Sequence, residues 1–100
     1  MNNTIMNFVT GKNIQVSGTS FKATVTVPYG KLVRILGEPT YIGGDKTLAD
    51  WHIQFEDGTV ATVYDWKNYG KKKEQIKIWH IGGFSNRATE LVLELLENDI

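Results

Sequence analysis

The chain has 100 residues, 11 basic and 11 acidic side chains, two histidines and no cysteine. That length suits one domain, residues 1–100, with a single core. Zero net charge disfavours a binder of long nucleic acid, which carries a basic excess, and the lack of cysteine excludes disulfides and thiolate metal sites. The charge is unevenly placed. Residues 67–87 hold Lys67, Lys71, Lys72, Lys73, Lys77 and Arg87 against Glu74, and residues 88–100 hold Glu90, Glu94, Glu97 and Asp99.

In chain order, residues 1–12 are polar and read as a loosely ordered N-terminal segment. They show no signal-peptide pattern, and no run reaches the roughly 20 apolar residues of a membrane span. A cytoplasmic protein without membrane contact is the expectation. Residues 13–27 read as extended: Phe21, Ala23, Val25 and Val27 alternate with Lys22, Thr24 and Thr26, the period of a half-buried strand. Gly18 marks a bulge or turn. Residues 28–36 read as a short helix, with Tyr29, Leu32, Val33 and Leu36 on one stripe, Gly37 as C-cap and Pro39 beyond it. Residues 51–55 and 59–66 form a hairpin around Glu56-Asp57-Gly58. A basic loop over 67–73 precedes a strand over 75–81, which Gly82-Gly83 ends. Ser85 is the predicted N-cap of a last helix whose buried stripe is Ala88, Leu91, Val92, Leu95 and Leu96. The order β-α-β-β-β-α implies an α+β fold: two layers, a mainly antiparallel sheet with both helices on one face.

Helices can cover only one sheet face, so some of Trp51, Tyr64, Trp66 and Trp79 must lie on the second face or at strand ends. They serve either as peripheral core or an oligomer interface, or as a platform for stacking a planar ligand. Tyr64-Asp65-Trp66-Lys67 sets aromatics beside an acid and a base: Asp65 can accept from a base edge or ribose, and Lys67 can meet phosphate. The plain alternative is a surface ion pair. In Trp79-His80-Ile81-Gly82-Gly83-Phe84-Ser85 a glycine turn feeds a helix N-terminus, a natural anion site. Arg87 in the first helical turn opposes the helix dipole and so hints at an anionic partner. The alternative is an ordinary strand-to-helix turn. The candidate ligand-binding set is therefore Tyr64, Asp65, Trp66, Lys67, Trp79, His80, Gly82, Gly83, Ser85 and Arg87. His52 and His80 lack metal-ligand spacing, so no metal and no cofactor are expected. Ser85 with His80 has no nucleophile-elbow pattern, so no catalytic residues are assigned.

Three motifs then stand together: Leu36-Gly37-Glu38-Pro39-Thr40, the run Phe-Glu-Asp-Gly-Thr-Val-Ala-Thr-Val-Tyr-Asp-Trp-Lys over 55–67, and Trp79-His80-Ile81-Gly82-Gly83. In this order they resemble a family of small bacteriophage proteins, from about Gly18 to the last helix. That family is similar to the phage "sponges" of anti-CBASS defence, which sequester cyclic-nucleotide immune signals without turning them over. The resemblance implies a small anionic nucleotide ligand, a homo-oligomer and no enzymatic activity. Its motif residues here are Gly18, Thr19, Glu38, Pro39, Thr40, Trp51, Tyr64, Asp65, Trp66, Lys67, Trp79, His80, Gly82 and Gly83. Phe21-Lys22-Ala23 departs from the more glycine-containing, apolar strand expected of relatives, which leaves Lys22 without a role. The alternative is a phage protein-interaction module that docks on and inhibits a host protein. Further alternatives are a nucleotide-cleaving enzyme using His80 and Asp65, and a single-strand binder using Trp66, Trp79 and the lysine loop.

Overall fold

The computed structural model describes residues 6–98. The elements are β1 (Phe8–Thr10), β2 (Ser20–Thr26), α1 (Tyr29–Leu36), β3 (Tyr41–Ile42), β4 (Ala49–Phe55), β5 (Val60–Tyr64), β6 (Ile78–Gly83) and α2 (Arg87–Glu97), with a 3-10 turn at Lys73–Gln75. The fold is α+β, as the patterning implies. The six strands form one antiparallel sheet in the order β1-β4-β5-β6-β2, with β3 also pairing β4.

The alternation in β4 builds the core. Trp51, Ile53 and Phe55 point to the helices and are buried, as are Ala61 and Val63 of β5 and Trp79 and Ile81 of β6. Against them lie Leu32 and Leu36 of α1 and the α2 stripe Ala88, Leu91, Val92, Leu95 and Leu96. Both helices thus cover one face, and burying each of these large side chains contributes about 1.5–3 kcal/mol. Gly37 ends α1 with its N–H on the Val33 carbonyl, 2.8 Å. The hairpin turn closes at Gly58, whose φ of 91° suits a residue without Cβ. Asp57 Oδ1 accepts from Thr59 N at 2.9 Å and braces the turn. This hydrogen bond is the main cause of the lowered Asp57 pKa.

Four expectations are corrected. Residues 8–10, within the predicted loose segment, form β1 and pair with Phe55, Gln54 and Ile53; residues 1–5 lie outside the described residues. The extended reading of 13–27 holds only for β2, because Gly18 (φ 92°) sits in a turn closed by Thr19 N and Oγ1 on the Val16 carbonyl. The last strand starts at Ile78 and runs through Gly82 and Gly83 rather than ending before them. The N-cap position of α2 is Asn86 rather than Ser85, and its side chain makes no capping bond. The strand bulge lies between Phe21 and Ala23. Lys22 is the extra residue, so the alternation breaks there and Phe21 leaves the helix-side face.

Candidate functional site

The face away from the helices collects polar and aromatic side chains. Register places Asp50 opposite Tyr64, Tyr64 opposite His80, and His80 opposite Thr24. The bulge brings Phe21 opposite Gly82 on the same face. His80 then lies between two rings, with centroids 5.2 Å from Phe21 and 5.4 Å from Tyr64, both tilted. Trp66, just past the end of β5, stands edge-on to Tyr64 at 6.4 Å. Phe21, Tyr64, Trp66 and His80 line an open cleft of about 280 Å³. Burial raises the Tyr64 hydroxyl pKa.

Gly82 lies on this face of the sheet, where a side chain has no room. A Cβ there would stand 2.5 Å from Thr62 Oγ1 and 3.3 Å from the Ser20 carbonyl oxygen, with Tyr64 Cε1 at 3.4 Å. Gly83 faces the other way, where a Cβ would collide with Ala88 Cβ of α2. Both glycines belong to a strand flanked by β5 and β2. Their backbone is held in the ladder and forms no anion-binding turn, which corrects their expected role.

Three further expectations change. Trp79 is fully buried on the helix side, 5.5 Å from Trp51, and its Nε1–H donates to the Val27 carbonyl at 3.1 Å. It is core and offers no stacking surface. Asp65 is also fully buried. Its Oδ1 accepts from Leu48 N at 2.7 Å and Ala49 N at 3.1 Å, and its Oδ2 accepts from Asn68 Nδ2 at 3.1 Å. It fastens the loop before β4 to the loop after β5, and its complete burial withholds it from a ligand. Arg87 lies at the opposite end of β5 from Lys67, a strand length of roughly 13 Å at about 3.3 Å per residue. Its guanidinium is shared by Asp57 (3.5 Å) and Glu90 (3.4 Å), which accounts for a cation in the first helical turn without a ligand. Exposed Ser85 stays with Arg87, its carbonyl accepting from Ala88 N at 3.2 Å.

Lys67 lies beside Trp66, which lines the cleft, and Lys46 lies there with it. Lys46 and Lys67 each place Nζ 5.6 Å from the Trp66 ring centroid, within cation–π range. Lys67 N donates to the Lys46 carbonyl at 2.8 Å. Lys67 has φ 55°, the one non-glycine residue at positive φ among those described, a conformation that costs of order 1 kcal/mol or more. Lys46 escaped the sequence reading because it sits 20 positions from Trp66 in an exposed loop.

Tyr41 and His52 form a second ring pair at 5.2 Å, with Lys12 Nζ 5.1 Å over Tyr41. His52 Nε2 stands 3.3 Å from Asp50 Oδ1, but the approach is not aligned as a hydrogen bond. Asp50 Oδ2 accepts from Thr47 Oγ1 at 3.2 Å. Desolvation raises the Asp50 pKa, opposed by His52 and by the Thr47 bond. Among the described residues no group of three or more histidines or carboxylates could hold a metal ion, and no helix is long and apolar enough to cross a membrane. A larger hollow of about 350 Å³ lies along β1 and β4, with Glu56 as its charged residue, the wrong sign for an anion.

In comparisons with protein-family models, curated proteins and solved structures, the chain matches none of them.

Proposed function

We propose that the chain is a non-enzymatic binder of a small nucleotide, sequestering a cyclic-nucleotide signal like the phage counter-defence proteins its motifs resemble. The observation that carries this reading is the ring cluster of Phe21, Tyr64 and His80 on a sheet face no helix covers. Stacking on such rings contributes about 1–3 kcal/mol per base. Trp66 walls one side of the cleft and Lys67 supplies positive charge beside it. The cleft is open, so sequestration calls for a second cover, which a second copy of the chain provides in a homo-oligomer.

The test is to mix the protein with cyclic mono- and dinucleotides, remove unbound ligand, and heat the protein. Recovery of intact ligand supports the reading. A panel without a binder overturns it, and product accumulating over time turns it into an enzyme.

A second reading, docking on a host protein, is favoured by Ile78 and Phe84. Both are exposed apolar residues lying outside the cleft-lining set. Ile78→Ser would then abolish capture of one stoichiometric partner and leave nucleotide binding intact.

A further inference from the structure

We infer that Lys46 and Lys67 form a phosphate subsite at the rim of the aromatic cleft, with Trp66 as its wall. The inference rests on the nucleotide reading only for what fills the adjoining cleft. Two ammonium groups at 5.6 Å from one ring centroid lie at most twice that distance apart. Among the described residues neither has a carboxylate within 4.0 Å, so no close ion pair with a described residue holds either charge. The backbone nevertheless brings them together: buried Asp65 fastens the two loops, and the Lys67–Lys46 backbone hydrogen bond holds Lys67 at φ 55°. A strained residue held by a buried clamp beside an open cleft is a built feature rather than a solvated loop. An anion that reaches either ammonium group meets positive charge that no described carboxylate contacts, and Trp66 lines the cleft that receives the planar remainder. A phosphomonoester or phosphodiester joined to a ring system has this combination of charge and shape.

Trp66 makes the test direct. Its indole is exposed, whereas those of Trp51 and Trp79 are buried and donate to the Gly37 and Val27 carbonyls. The 15N-labelled full chain is titrated with inorganic phosphate, with sodium chloride at matched ionic strength, and separately with uncharged adenosine. Phosphate should shift the Trp66 indole N–H saturably and leave the other two indoles in place. Lys46→Gln and Lys67→Gln should each weaken the response about threefold or more. The double variant should abolish saturation, and Arg87→Gln should match the wild type. A chloride response of equal size, or a double variant that still saturates, overturns the subsite. Adenosine binding without phosphate binding removes the subsite and keeps the cleft. Phosphate saturation without adenosine binding keeps the subsite and removes the cleft.

Discussion

At one end of β5, Arg87 is bracketed by Asp57 and Glu90, and its charge is spent within the protein. At the other end, Lys46 and Lys67 converge on Trp66 with no carboxylate among the described residues to meet them. Arg87 and Lys67 both belong to the excess of basic residues over 67–87, whereas Lys46 lies outside it, so the local charge sum does not say where an anion can bind. What separates them is the backbone. A tight hairpin turn brings carboxylate to cation at the first end, whereas a buried carboxylate faces inward at the second and leaves the cations outward.

The contrast is open to attack at several points. The largest effect is expected at Asp65. Asp65→Ala leaves the Leu48 and Ala49 amides without their acceptor and should cost about 3 kcal/mol or more, read by urea denaturation. A loss below about 1 kcal/mol would show that the clamp does not organise the lysine end. At the Arg87 end, Gly83→Ala drives a methyl into Ala88 and toward the Val60 carbonyl. That overpacking should cost about 1–3 kcal/mol, lowering the melting temperature by several degrees.

Smaller effects concern the open face. Phe21→Ser removes one ring from beside His80. It should weaken nucleotide binding by roughly the 1–3 kcal/mol of one stacking contact, and unchanged titrations would dismiss the ring cluster as a binding surface. Asp57 and Asp50 then give opposite pH slopes. The lowered pKa of Asp57 means its contribution is present above the unfolded value and lost as pH falls through the folded one. Asp57→Asn should therefore lose stability relative to wild type as pH rises through the carboxylate range. The raised pKa of Asp50 means its contribution is present at low pH and lost as pH rises through the folded value. Asp50→Asn should gain relative to wild type over that range. Denaturation midpoints followed from about pH 2 to about pH 7, on both sides of the ordinary aspartate value of about 3.9, check the two signs. The smallest effect is expected for Arg87→Gln, within about 0.5 kcal/mol, because its pairs are exposed.

Much of the fold was legible because it rests on local periodicity. Trp51-Ile53-Phe55 and the α2 stripe are long enough for period 2 and period 3.6 to stand out, and the Asp-Gly turn is set by backbone preference. The three- and two-residue strands β1 and β3 were not legible, since so few residues carry no period. The sides taken by the two aromatics also differed in legibility. Trp79 shares parity with buried Ile81, so its place in the core followed once the helices chose that face. Phe21 shares parity with Ala23, and only the bulge at Lys22 puts it on the other side.

By itself, the sequence determined the order of the main elements, the helix stripes, the hairpin turn and the supply of charge, because each depends on residues a few positions apart. Tertiary structure alone decided which charges remain open. Lys46 joins Lys67 across 21 positions, and Arg87 meets Asp57 across 30. Ion pairing depends on distances of a few ångströms in space, so a charge sum along the chain cannot distinguish a spent cation from an open one.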